Sequence, residues 1–141
     1  VTGVQTCALP IFPDVQERVN VYMYQKEFAE LQLVRCSTAH DNLVVADLRE
    51  EDPIYVCNRF LIYALNPECN ISMHLLRSPE AGKTRIAVGK SILDRSSKTD
   101  IGSLLLEYGG GGHSTAGGCR VDDAKSDEVV AQLIERITAD V

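Results

Sequence analysis

The sequence lacks several features that mark particular classes of protein. It has no tryptophan, only 6% aromatic residues and three histidines. No apolar run reaches about 18 residues, so no membrane-spanning helix is predicted. The histidines are scattered and the five cysteines form no CxxC pair, so no metal site is predicted. Unpaired thiols are typical of a reducing cytoplasm, where we place the protein.

The chain also lacks an excess of positive charge. Its formal net charge is −6, which excludes a general basic surface for gripping nucleic acid. Any site for a polyanion must therefore be local. The composition, with 45% hydrophobic and 24% charged residues in 141 positions, is that of one globular domain.

Two phosphate-binding signatures are incomplete. Gly82-Lys-Thr and Gly89-Lys-Ser both end like a P-loop, but the glycine required five positions earlier is absent. The stretch GHSTA lacks the second glycine of a nucleophile elbow, which favours a local hydrogen-bonding role for Ser114. None of these stretches therefore predicts a catalytic residue.

Periodicity predicts alternating helices and strands. A segment free of Pro and Gly from Asp14 to about Cys36, with Arg35 late, predicts one long helix. Further helices are predicted over 54–65, from about 101 after a capping box Ser97-x-x-Asp100, and from a cap at Ser126. Apolar, β-branched runs predict strands over 42–48, over 70–77 and 84–90 as a hairpin, and over 119–121. This order predicts an α/β (α+β) domain with a mixed β-sheet covered by helices.

The segment YGGGGHSTAGGC, residues 108–119, holds six of the ten glycines around His113. Glycine permits positive φ, expected here at Gly111, and close approach of the backbone to a ligand. A sharp structural turn is the alternative, with His113 bonded to backbone. Nearby basic residues favour an anion site. The candidate binding residues are Gly110, Gly111, Gly112, His113, Lys90, Arg95 and Arg59, whereas Lys98 is expected on a solvated face.

The glycine block resembles the GGGH-x-x-A-(A/G)-G signature of the DHHA1 domain, the C-terminal substrate-binding domain of the DHH phosphoesterase superfamily. The flanks NRFLIYALNPECNISMHL and AVGKSILDRSSKTDIGSLLLEYGGGGH are similar to its exopolyphosphatase-like or oligoribonuclease-like branch. The resemblance implies that the glycine loop and His113 contact phosphate or nucleotide. Lys90 falls where many relatives have arginine, which keeps the charge but loses the bidentate fork.

The resemblance also implies a division of the chain. Residues 13–38 would be a connector helix and residues 39–141 the DHHA1-like domain. Residues 1–12, VTGVQTCALPIF, resemble a translated sequencing adapter, and we expect a non-native or disordered leader.

The implied function is substrate binding within a truncated manganese-dependent phosphoesterase that hydrolyses short RNA, nucleotide phosphates or polyphosphate. Manganese and the catalytic residues would belong to a missing upstream DHH domain, which would also be a partner. The expected ligand is a phosphorylated small molecule or a short single-stranded nucleic acid, not a membrane. Three alternatives stay open: an RNA-binding module of the type associated with alanyl-tRNA synthetase, a scaffold without a ligand, and a homodimer of the full-length protein.

Overall fold

The computed structural model describes residues 13–55, 58, 60–92 and 94–139. The predicted leader, residues 1–12, and the candidate site residue Arg59 lie outside this part. Its helices are α1 (Pro13–Cys36), α2 (Leu61–Leu65), α3 (Ile101–Leu106) and α4 (Asp123–Ala139). Its strands are β1 (Ser37–His40), β2 (Leu43–Asp47), β3 (Ile71–Arg77), β4 (Lys83–Lys90), β5 (Gly111–Gly112) and β6 (Ala116–Asp122).

The strands of the described residues form one mixed sheet in the order β1-β2-β3-β4-β6-β5. Strands β2 and β3 run parallel, and the other neighbouring pairs are antiparallel. A parallel pair needs a crossover connection, which the segment containing α2 supplies. The predicted α/β domain with a mixed sheet and covering helices is confirmed.

One face of the sheet packs against α3 and α4 and forms the larger core. In β4 the buried residues are Thr84, Ile86 and Val88, the period of two expected for a strand with one buried face. The register sets Met73 of β3 opposite Val88 and Cys119 of β6 opposite Ile86, so both add to this layer. The helices contribute Ile101, Leu104, Leu105, Val130, Leu133 and Ile137.

The second face of the sheet is covered only in part. Val44 and Ala46 of β2 pack there with Leu33 of α1 and Ile62 of α2. Across β4 and β6, no helix of the described residues makes an equivalent layer. Side chains are exposed on this face at Arg85, Ala116 and Arg120.

Among the described residues of the segment predicted as a helix over 54–65, the helix begins only at Leu61. Gln32 of α1 binds the segment before it, because its side chain accepts from the Tyr55 N–H and donates to the Pro53 carbonyl. The Asn58 side chain then accepts from the Phe60 N–H at 2.9 Å, a local bond that favours a turn. Residues 54 and 55 are therefore held outside any helix.

Two predicted helix caps are wrong, although α3 begins at Ile101, where a helix was predicted. Asp100, not Ser97, is the N-cap of α3, and its carboxylate accepts from the Ser103 N–H. Helix α4 begins at Asp123, so Ser126 lies inside its first turn and donates to the Asp123 carbonyl. The long helix α1 agrees with its prediction, with Asp14 in the first turn and Arg35 in the last. None of the helices in the described residues combines the length and apolar character needed to cross a membrane.

Candidate functional site

The glycine block forms a tight hairpin at the edge of the sheet. Strand β5 pairs with β6, so that Gly111 lies opposite Gly118 and Gly112 opposite Gly117. The tip of this hairpin is held by three backbone bonds. The carbonyls of residues 113, 114 and 115 accept N–H bonds of 2.8, 3.1 and 2.8 Å, respectively, from Gly102, Ile101 and Lys90. The tip is therefore fixed between the start of α3 and the end of β4.

Close backbone packing explains two of these glycines. A Cβ at Gly110 would lie 2.1 Å from the Gly118 carbonyl oxygen, and one at Gly112 would lie 2.4 Å from that of Ala116. Positive φ occurs at Gly109 and at Gly112, not at Gly111, where we expected it. A Cβ at Gly111 would also meet nothing within 4 Å. The expectation for Gly111 is wrong, because the positive φ within β5 falls on Gly112 instead.

His113 lies at the exposed tip of the hairpin. Its backbone N–H donates to the Ala116 carbonyl at 2.7 Å and closes the turn. The N–H of Gly110 donates to the Leu105 carbonyl and is used inside the fold. The roles predicted for Gly110, Gly111, Gly112 and His113 toward a ligand stay predictions.

A cavity of about 480 Å³ lies where β4 ends, beside the hairpin tip. We call it the Lys90 pocket. Its lining includes both Lys90 and Arg95, two of the residues predicted from the sequence to bind an anion. His113 and the glycines 110–112 are not among the residues that line it, although Thr115 and Ala116 of the same hairpin are. The remaining lining residues are Phe60, Tyr63, Ser72, His74, Gly89, Ser91 and Ile92.

The pocket is positive although the chain is acidic. No aspartate or glutamate is among the described residues that line it. The Lys90 ammonium donates to the Ser97 carbonyl at 3.2 Å, a neutral partner. The exposed Arg95 makes no ion pair within the described part of the chain. Both cations therefore keep charge available for an anionic ligand.

The loop that carries Arg95 is held by its own polar groups. The Asp94 carboxylate accepts hydrogen bonds from the Ser96 hydroxyl at 2.6 Å and from the Ser96 N–H at 3.0 Å. These bonds lower the pKa of Asp94. The Asn70 side chain donates to the same hydroxyl at 3.0 Å. Asp94 is thus directed at Ser96 rather than at Arg95.

Neutral polar groups form the inner wall of the pocket. The Tyr63 hydroxyl donates to the Gly89 carbonyl at 3.0 Å and accepts from the Ser72 hydroxyl at 2.9 Å. Burial raises the pKa of Tyr63 and lowers that of His74. Desolvation disfavours the charged form in each case, so both rings are neutral near pH 7.

Sequence reasoning missed Tyr63, Ser72 and His74. Ser72 and His74 are polar residues two positions apart in strand β3, whose other residues before Arg77 are apolar, and this spacing places both on one face. That pattern was a usable signal. Arg59 lies outside the described residues. Within the described part of the chain, no group of three or more His, Cys, Asp or Glu side chains is placed to hold a metal ion.

No protein-family model matches the chain, and no curated protein does so either. Solved structures do match. The pGpG-specific phosphodiesterase PggH of Vibrio cholerae is 48% identical, with a TM-score of 0.89 over 92% of this chain and 44% of that one. The chain is a DHHA1-like domain. The resemblance inferred from the glycine block is thereby confirmed.

Two more distant structures share the fold of the DHHA1-like domain. An exopolyphosphatase-related protein of Bacteroides fragilis is 17% identical, with a TM-score of 0.53 over 86% of this chain and 35% of that one. A DHH domain from a member of a family of ribosomal proteins is also 17% identical, with a TM-score of 0.52. The match covers 89% of this chain and 31% of that one. The DHHA1-like chain therefore spans less than half the length of each of these structures.

Proposed function

We propose that this chain is the substrate-binding part of a DHH-family phosphodiesterase, and that the Lys90 pocket binds a phosphate of a short nucleotide such as pGpG. The observation that carries the proposal is a cavity whose described lining residues include Lys90 and Arg95 but no carboxylate, in a chain with a formal charge of −6. The similarity to a pGpG-specific phosphodiesterase supports the choice of ligand. Manganese and the hydrolytic step would belong to a separate DHH domain.

The chemistry of the pocket suits a nucleotide. Lys90 supplies a point charge, and Arg95 supplies a planar fork that matches two phosphate oxygens. Phe60 and Ile92 add apolar surface against which a base can pack. His113 lies two residues before Thr115, a lining residue, and would contact the ligand from the rim. The glycines 110–112 would place this rim.

Titration of pGpG into wild type and Lys90→Gln tests the proposal. A hydrogen bond to a charged group contributes roughly 1.5–3 kcal/mol, so affinity should fall about tenfold to a hundredfold. Lys98→Gln is the matched control, because it removes the same charge from an exposed residue that does not line the pocket. Lys98→Gln should change affinity less than twofold. Melting curves of each variant confirm that the fold is kept.

The same affinity for pGpG in Lys90→Gln and Lys98→Gln would contradict the proposal. Arg95→Gln should resemble Lys90→Gln, because the two cations would share one phosphate.

The role of His113 is tested in the same titration. If its ring binds the ligand from the rim, His113→Ala should weaken pGpG binding by roughly 1.5–3 kcal/mol and leave the melting temperature nearly unchanged. An unchanged affinity with a large drop in melting temperature would make His113 a structural residue of the hairpin.

A further inference from the structure

Two arginines lie directly opposite each other on the partly uncovered face of the sheet. The register pairs Arg85 of β4 with Arg120 of β6, and both side chains are exposed. Like charges at directly opposite positions destabilise a sheet. A pair that costs stability and is not neutralised points to a ligand.

Several other arginines of the described residues are paired with carboxylates, but this pair is not. Neither Arg85 nor Arg120 makes an ion pair within the described residues. The nearest carboxylate along β6, Asp122, is bound by the Lys83 ammonium at 2.7 Å. The arginines that do have carboxylate partners are Arg35, Arg49, Arg77 and Arg136.

The arginine pair and the Lys90 pocket share one face of the sheet. Gly89 lines the pocket, and Arg85 lies four positions earlier on the same side of β4. At the usual rise of a strand this separation is roughly 13 Å, which exceeds one nucleotide step. Between them, the outward positions of β4 and β6 are Ala87, Gly89, Ala116 and Gly118. A ligand chain can therefore lie close to the backbone between the two sites.

We propose that Arg85 and Arg120 form a second phosphate site, which binds a later phosphate of a single-stranded oligonucleotide whose end occupies the Lys90 pocket. The proposal rests on the proposed function for the placement of that end. Two guanidinium groups on adjacent strands present several donors to one phosphodiester. The ligand class is thereby extended from a dinucleotide to longer strands.

The test compares two probes, pGpG and a 5′-phosphorylated pentaribonucleotide, at several salt concentrations. The variant is Arg85→Gln with Arg120→Gln. The control is Arg18→Gln with Lys26→Gln, which removes two charges from exposed positions on α1. For the pentanucleotide, the arginine variant should lose at least about tenfold in affinity. Its plot of log affinity against log salt should become less steep by about 1.4, or 0.7 for each lost contact.

The affinity for pGpG should be unchanged in the arginine variant, because a dinucleotide bound in the pocket does not reach the pair. The control should bind both probes like wild type. The melting temperature of the arginine variant should be equal to or above that of wild type, since a repulsive pair is removed. An unfolding defect therefore does not account for lost binding.

Two results would overturn the second site. One is that the arginine variant binds the pentanucleotide with the same affinity and the same salt slope as wild type. The other is a loss confined to inorganic polyphosphate, used as a third probe, which would exclude an oligonucleotide as the ligand. Equal losses for both long probes support a site that recognises the phosphate chain.

The proposed function fails separately. It fails if Lys90→Gln binds pGpG like wild type, and the arginine pair is then judged by its salt slope alone.

Discussion

His74 shows at the residue scale which groups give the Lys90 pocket its positive charge. Its side chain lies in the pocket with Lys90 and Arg95, yet burial lowers its pKa. The imidazole is therefore uncharged near neutral pH, and the positive charge of the pocket comes from Lys90 and Arg95. We expect phosphate binding to depend little on His74 between pH 7 and 8.

The lowered pKa of His74 predicts a loss of stability in mild acid. Below the usual histidine pKa of about 6.5, the unfolded chain takes up a proton that the folded chain does not. The free energy of unfolding should therefore fall from pH 7.5 to pH 5.5, by at most about 1.4 kcal/mol per pH unit for this proton. Urea unfolding of wild type and His74→Gln at both pH values measures this fall. The free energy of unfolding should fall less in the variant than in wild type. Equal losses in both would refute a half-buried, neutral His74.

At the element scale, the β5–β6 hairpin is a compact structural unit that also forms one side of a pocket. Its tip accepts three backbone hydrogen bonds, and its two strands approach too closely for side chains at some positions. The glycines that look interchangeable in the sequence therefore differ in the structure. Gly110 is enclosed, whereas Gly111 faces open space.

Adjacent glycines provide a matched pair of substitutions in this hairpin. Gly110→Ala places a methyl group 2.5 Å from the Cys119 Cβ and closer still to the Gly118 carbonyl. Backbone must move to relieve the clash, so the free energy of unfolding should fall by about 1–3 kcal/mol or more. Gly111→Ala meets no atom and has no positive φ, so it should change stability by less than about 1 kcal/mol. Denaturant unfolding of both variants checks this, and equal losses would contradict the packing argument.

The sequence predicts those elements whose own side chains set their periodicity. The β3–β4 hairpin and helices α3 and α4 have clear apolar patterns and are found near their predicted positions. Helix α1, which was predicted from its lack of Pro and Gly and from its charged ends, is also found. The helix predicted for the residues before α2 is wrong because Gln32, which is distant in sequence, binds the backbone there. Strands β1 and β5 were missed because four and two residues carry too little pattern.

In the candidate site, too, the sequence predicted only the residues that lie close together along the chain. Lys90 and Arg95 are close in sequence, and the structure places both in one pocket. The contribution of Tyr63 depends on the crossover between β2 and β3, which brings α2 against the end of β4. Such contacts follow from topology and not from any local pattern.

At the scale of the whole molecule, the two faces of the sheet have different tasks. One face is buried under α3 and α4, and its core residues determine stability. The other carries the Lys90 pocket and the exposed pair Arg85 and Arg120. Substitutions on this second face can therefore change binding without reaching the main core.

For the chain as a whole we predict that it binds a short nucleotide but does not cleave it. Generation of a nucleophilic water in such reactions needs a metal site. The described residues contain no group of three or more candidate ligands. Incubation of the purified chain with Mn²⁺ and a guanine dinucleotide, followed by chromatography, should show the dinucleotide intact, while titration shows it bound. Cleavage that is present in wild type and lost in Lys90→Gln would refute the prediction, whereas equal cleavage by both preparations would identify a contaminating nuclease.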